Sequence, residues 1–468
     1  MPCTITPMHK KTPVLSLALA LGLLTAYAAV AHAAPAYVPV KFPGFAYIKS
    51  LGGIDEYRLD SNGLDVLIKP DHSAPVVTFN VTYHVGSRNE VTGTTGATHI
   101  LEHMMFKGSE HYNDPAGNSI KQYLEKVGAG FNATTSEDRT NYYGTLGRDS
   151  LEGYIAIEAD RMRNLWLRDS DRQAEMTVVR NEYERGENDP GNALMKEVTA
   201  VAYLAQPYHH STIGWRSDIE KVPTAKLRDF YDTFYWPNNA TVTIVGDVDP
   251  AKALGLIKKY YGAIPRSPNA IPVMYTEEPP QNGPRRVVVK RAGQLGSLMI
   301  AYKAPNGLDP DLPALNVLGS ILSAGENSRL SKALVDTSLA TQAAADIQPT
   351  HDPGLFLLMA GLAPDVKHEQ VEKVMLAEID KIKKEGVTPE EVARVVSQYR
   401  AQQAYGRDGT AGIAAALNEW IATGDWTQYV TYTDKVAKVT LADVQRVART
   451  YLNEDQSTTG WFIPTVSP

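Results

Sequence analysis

His99, Glu102 and His103 stand within "GATHILEHMMFKGSE", residues 96–110. Histidines four residues apart lie on one face of a helix and can turn both imidazoles toward one metal ion, and Glu102 shares that face. A zinc ion held by neutral imidazoles brings the pKa of a water toward neutrality, and an adjacent carboxylate can take the proton as that water attacks a peptide carbonyl. The order His-x-x-Glu-His reverses the common His-Glu-x-x-His, so the base neighbours the second histidine instead of the first. A surface helix with two solvated histidines is the plainer alternative. Against it, Ile100, Leu101, Met104, Met105 and Phe106 make the surroundings apolar, and polar groups in such a setting need a partner.

A tetrahedral catalytic zinc wants a third protein ligand. The stretch "RQAEMTVVRNEYERGENDP" reads as a helix in which Glu175 and Glu182 lie two turns apart on one face, with Val178 and Val179 expected on the buried side between them. One carboxylate could ligate while the other orients a histidine from behind. The pattern alone equally fits solvated helix carboxylates, since Glu184 and Glu187 are close by.

These residues need a scaffold, and 468 residues with 43% hydrophobic and 21% charged content are enough for two or three domains with cores of their own. A net charge of -7, with no basic run beyond pairs such as Lys383-Lys384, excludes a broad nucleic-acid surface. His9, Lys10 and Lys11 precede the apolar run "PVLSLALALGLLTAYAAVAHA", which ends in Ala31-His32-Ala33; this reads as a secretory signal peptide over 1–33. No later segment is apolar enough to cross a bilayer, so no span is expected in the mature chain. Cys3, the single cysteine, falls in the removed segment, which leaves no thiol for disulfides, catalysis or metal binding. An exported, cysteine-free protein fits the periplasm of a Gram-negative bacterium.

After a short lead, residues 74–87 alternate as a strand ahead of the histidine helix. "NSIKQYLEKVG" reads as a helix and "GFNATTSEDRTNYYGTL" as strands. Helices follow over roughly 150–165 and 171–187, the second stopped by Asn188-Asp189-Pro190-Gly191. Pro265, Pro268, Pro272, Pro279, Pro280 and Pro284 rule out a regular helix or central strand over 265–284, which reads as a linker. Residues 222–245 align without gaps on 439–462, matching Val222 with Val439, Leu227 with Val444 and Thr233 with Thr450. A helix and then a strand recur, so the expected fold is α+β with an internal duplication.

Taken together, "TGATHILEHMMFKG", "GAGFNATTSEDRTNYY" and the segment from Glu175 to Glu182 resemble the pitrilysin/insulinase family of inverted-zincin metallopeptidases, which includes the processing-peptidase β subunit. The resemblance covers most of the mature chain. It implies two homologous α/β-sandwich domains of the processing-peptidase-like type: a zinc-binding catalytic domain over 34–264, the linker over 265–284, and a second domain over 285–468 without a metal site. It implies one Zn2+ per chain held by His99, His103 and Glu182, Glu102 as general base, Glu175 as supporting carboxylate, and an edge strand at Phe131, Asn132, Ala133 and Thr134 that pairs with an extended peptide. The interval from His103 to Glu182 is slightly longer than in well-known members, which implies a small loop insertion.

One departure matters for function. Active family members carry an Arg and a Tyr in the second half, after an "SRL" segment, where they help bind substrate and stabilise the oxyanion. Here "GENSRLSKALVDTSLATQ" places Leu334 or Val335 at the Arg position and Thr341 at the Tyr position, and no Arg or Tyr occurs between Leu330 and Arg394. Losing oxyanion donors costs about a hundredfold to a thousandfold in rate. The expectation is therefore a zinc-bearing endopeptidase subunit working with a homologous partner that supplies the Arg/Tyr pair, as a heterodimer or a homodimer. A non-catalytic structural or assembly subunit of the same fold is the alternative.

Overall fold

The computed structural model describes residues 39–465, so the expected signal peptide lies outside the described residues. Two sheets organise the chain. The first is built from β1 (Phe45–Leu51), β2 (Ile54–Leu59), β3 (Asp65–Pro70), β4 (Val76–Tyr83), β5 (Gly130–Thr135), β6 (Thr140–Gly147) and β7 (Ala240–Gly246), in the order β1-β2-β3-β7-β4-β6-β5. The second takes β8 (Arg285–Ala292), β9 (Ser297–Lys303), β10 (Ala340–Ile347), β11 (Leu355–Leu362) and β12 (Ser457–Thr465), in the order β10-β11-β9-β12-β8. The lead before residue 74 thus contains β1, β2 and β3, which the sequence reading missed. Their alternation is short and broken by Gly52-Gly53, leaving little period-two signal.

The helices of the first half are α1 (Ala97–Met104), α2 (Ile120–Lys126), α3 (Leu151–Arg163), α4 (Asp169–Asn188), α5 (Pro190–Ala202), α6 (Arg216–Lys221), α7 (Thr224–Phe234) and α8 (Pro250–Tyr261). Those of the second are α9 (Leu312–Ser323), α10 (His368–Glu385), α11 (Pro389–Gly406), α12 (Thr410–Thr423), α13 (Gln428–Ala437) and α14 (Leu441–Tyr451). The aligned segments fall on α7 with β7 and on α14 with β12. Each strand occupies the same place in its sheet: β7 lies between parallel β3 and antiparallel β4, and β12 between parallel β8 and antiparallel β9. The duplication read in the sequence is a duplication of topology.

Alternation along the strands sends side chains to two different covers. In β4, Val77, Phe79, Val81 and Tyr83 join a core closed by α1, α3, α7 and α8. The intervening Thr78 and Thr82 face the opposite way and bond to α12 of the second half, Thr78 Oγ1 to Thr410 Oγ1 at 2.8 Å and Thr82 Oγ1 to Asn418 Oδ1 at 2.6 Å. Around them Leu67 and Val245 pack with Ile413 and Leu417. The exchange is reciprocal. Leu194 and Val198 of α5 pack on Val289, Met299 and Phe462 of the second sheet. The approach is so close that a Cβ on Gly460 would meet Val198 at 2.2 Å.

Residues 265–284 have no regular secondary structure, as their prolines require. They are nonetheless tied down. The Glu278 carboxylate accepts the N–H groups of Leu204, Ala205 and Gln206 and lies 3.2 Å from Lys303 Nζ. Residues from 39 onward form one compact unit. Among the described residues, no helix is long and apolar enough to cross a membrane.

Candidate metal centre

The apolar side of α1, carried by Ile100, Leu101 and Met104, is fully buried in the first core. That packing turns His99, Glu102 and His103 toward α4 and β5. On α4, Glu175 and Val179 are buried and Glu182 is half-buried, so this face of the helix meets α1. Val178, expected on the buried side, is 43% exposed. A residue one position before Val179 is rotated by about 100° around the axis and escapes the contact.

His99 Nε2 and His103 Nε2 are 3.3 Å apart, and Glu182 Oε2 is 3.6 Å from the first and 3.4 Å from the second. A tetrahedral zinc with bonds of about 2.0–2.1 Å needs ligand atoms roughly 3.3–3.4 Å apart. Three atoms of the right chemistry therefore outline one face of such a site, and the residues fit the ion. Among the described residues this is the one cluster of three or more His, Cys, Asp or Glu side chains arranged to hold a metal. Burial, with His103 beside it, pushes the His99 pKa down to about 4, so the ring is neutral at pH 7, the form a metal requires.

Behind the triangle, His103 Nδ1 donates to Glu175 Oε1 at 2.9 Å, which fixes the tautomer that leaves Nε2 free to ligate. Burial would raise the Glu175 carboxyl, but hydrogen bonds from Lys107 and His103 hold it below the ordinary carboxylate value. Glu102 Oε2 accepts the Thr135 hydroxyl at 2.6 Å. Burial pushes the Glu102 carboxyl above its ordinary value, while Thr135 and His103 draw it back. Sequence reasoning missed both Lys107 and Thr135. Lys107 follows His103 by four residues, just past the end of α1, a spacing that could have flagged it, whereas nothing local marks Thr135.

Thr135 ends β5, whose residues Phe131, Asn132, Ala133 and Thr134 pair with β6 alone, leaving the other edge of the sheet open beside the base. Ala133 is buried, Phe131 and Thr134 are half-buried, and Asn132 is exposed. A cleft of about 390 Å³ adjoins Glu182, lined by Tyr183, Met195 and Tyr208 from the first half and Leu355 and Leu357 from the second. His209 and His210 sit in a loop, where their Nδ1 atoms bond to the Gln206 and Ser211 carbonyls, and they take no part in the cluster. Nor do the positions after Leu330: Leu334 is fully buried in the second core, and the Thr341 hydroxyl donates to the Gly361 carbonyl.

Residues 65–215 match Insulinase (Peptidase family M16), and residues 221–399 match the Peptidase M16 inactive domain. The zinc protease PqqE of Helicobacter pylori is 32% identical over 408 residues, covering 86% of this chain and 91% of that protein. The chain belongs to peptidase family M16. The mitochondrial-processing peptidase β subunit of Lentinula edodes is 26% identical across 87% of this M16 chain and 90% of its own length. Two solved structures share the fold. The crystal structure of a protease from Helicobacter pylori superimposes with a TM-score of 0.84 at 31% identity, covering 88% of this chain and all of that one. The periplasmic protease PqqL from Escherichia coli gives 0.74 at 19% identity, covering 90% of this chain but 48% of PqqL. The inverted motif falls in the stretch matched to Insulinase (Peptidase family M16), while the second match begins before β7 of the first sheet and runs into the second half.

Proposed function

We propose that this chain is a zinc metalloendopeptidase subunit that hydrolyses peptides or unfolded polypeptides. The triangle of His99, His103 and Glu182 ligand atoms, with the Glu102 carboxylate on the same helix face, carries the reading. Zinc bound there supplies Lewis acidity, lowering the pKa of a water and polarising a peptide carbonyl. Glu102 takes the proton from the attacking water and delivers it to the leaving amine. Burial keeps its proton affinity above that of an exposed glutamate, which suits both transfers. Glu175, neutralised by Lys107, holds the His103 ring in place. An extended substrate adds to the open edge of β5, where main-chain pairing fixes the peptide largely irrespective of its side chains.

The second half of the chamber comes from a homologous partner bearing an Arg/Tyr pair. Two observations support it: neither residue type occurs between Leu330 and Arg394, and this chain matches about half the length of PqqL. The N-terminal 33 residues direct export, and the periplasmic location of PqqL is compatible with this. Metal analysis combined with cleavage of a quenched peptide tests the function. Glu102→Gln is expected to retain zinc and lose turnover, and normal cleavage by that variant would remove the proposed mechanism. Assay of the chain alone and with an Arg/Tyr-bearing homologue tests the pairing, which full activity of the isolated monomer would exclude.

A further inference from the structure

The two histidines of the triangle are supported unequally. His103 has its ring held from behind by Glu175, the arrangement that normally orients a metal-ligating imidazole. His99 has no counterpart: its Nδ1 is buried and has no hydrogen-bond partner among the described residues. Apart from its edge-to-face contact with His103, the placement of its ring depends on the backbone that carries it. That backbone is the first turn of α1, where the N-cap is Gly96 in the left-handed region at φ 86°, with no side chain of its own to cap the helix.

The cap arrives from upstream. Glu90, 5% exposed, places Oε2 2.8 Å from the N–H of Gly96 and Oε1 2.7 Å from the N–H of Thr98, immediately before His99. Burial pushes the Glu90 carboxyl up to about 8, against the pull of the two N–H donors and of the positive end of the helix dipole, which favour its charged form. On the other side, Asp218 accepts the Thr95 hydroxyl at 2.8 Å, and a Cβ on Gly96 would meet the Ile213 carbonyl oxygen at 2.4 Å. The turn is thus enclosed, and Glu90 supplies the two hydrogen bonds that fix its height along the helix axis. His210 Nδ1 lies 3.8 Å from Glu90 Oε2 and donates to the Ser211 carbonyl, so it does not compete for the carboxylate.

We propose that Glu90 is a positioning residue for His99, holding the first turn of α1 so that His99 Nε2 stands at its corner of the metal triangle. It touches neither metal nor substrate. The proposal rests on His99 being a ligand, so His99→Ala serves as the reference. Zinc affinity of the full chain is measured by competition with a chromophoric chelator, beside kcat, KM and the melting temperature of the metal-free protein. Glu90→Gln removes one acceptor at constant shape and is expected to weaken zinc binding roughly tenfold to a hundredfold. Lower kcat with KM within twofold and full recovery of zinc occupancy at high zinc should accompany it. Glu90→Asp, a milder change, is expected to fall between Gln and wild type and carries the test if Glu90→Gln does not fold. A lowered melting temperature with zinc affinity within twofold of wild type, in whichever of the two variants folds, would overturn the proposal. Unchanged zinc affinity in His99→Ala would instead remove the metal assignment beneath it.

Discussion

The strand pattern β3-β7-β4-β6-β5 of the first half recurs as β8-β12-β9-β11-β10 in the second, and in each a helix follows the second of these strands in chain order, α1 after β4 and α9 after β9. What differs is the company of that helix. α1 is flanked by α7, α4 and β5, and its His/Glu/His face meets carboxylates of α4. α9 is enclosed by α11, α13 and α14, and its sequence "LPALNVLGSILS" offers only Asn316 and serines as polar groups. Asn316 is spent on a hydrogen bond to the Tyr432 hydroxyl. One framework therefore carries a cluster of metal-ligand type or a closed core, depending on whether the equivalent helix keeps an open side.

Four substitutions would break or sharpen this contrast. His103→Ala is expected to abolish stoichiometric zinc and lower peptide cleavage by about a thousandfold or more, whereas Asn316→Ala leaves both unchanged. Elemental analysis and a quenched-peptide assay read the difference. Leu417→Ala in α12 and Leu194→Ala in α5 each empty a buried contact between the halves and should each cost about 2–5 kcal/mol, in a single urea transition. Two transitions, only one of them shifted, would show that the halves are separable.

Thr135→Val has a smaller and more local effect. Burial already raises the Glu102 carboxyl, and the Thr135 hydroxyl stabilises its charged form, so losing that donor raises the pKa further. Because the base must be deprotonated, the acid limb of kcat/KM moves to higher pH, with zinc content unchanged and the loss of cleavage greatest on the acid side. Lys303→Met, under the linker, is the mildest. Burial lowers Lys303 to about 8 against the opposing pull of Glu278, so the folded state binds this proton less readily than the unfolded chain. The wild type bears that penalty below about pH 8 and sheds it as pH rises toward the ordinary lysine value. The variant lacks this titration, so its melting temperature should fall relative to wild type as pH rises above about 8.

Much of this was legible because it was local. The His-x-x-Glu-His spacing, the Glu175 to Glu182 repeat and the stop at Asp189-Pro190 are read within one helix, and α4 ends at Asn188 accordingly. The recurrence of α7 with β7 in α14 with β12 was visible because the helix and strand keep their spacing through both copies. What the sequence did not disclose depends on distant partners. Thr135 becomes a support for Glu102 only when β5 is laid beside α1, Glu90 becomes a cap only when its loop folds back over Gly96, and α12 looks like any amphipathic helix until it covers Thr78 and Thr82. Charge alone misleads here, since Glu175 and Glu184 look alike in the sequence while one is buried against His103 and the other is exposed.

The exchange of helices also sets an order of events during synthesis. The partners Thr78 and Thr410 are separated by 332 positions, so the far face of the first sheet stays uncovered until most of the chain has been made. Until then Leu67 and Val245 lack the cover that α12 gives them, and the first half carries an exposed apolar surface. Translation must nearly finish before the first half can close, because α12 lies at residues 410–423.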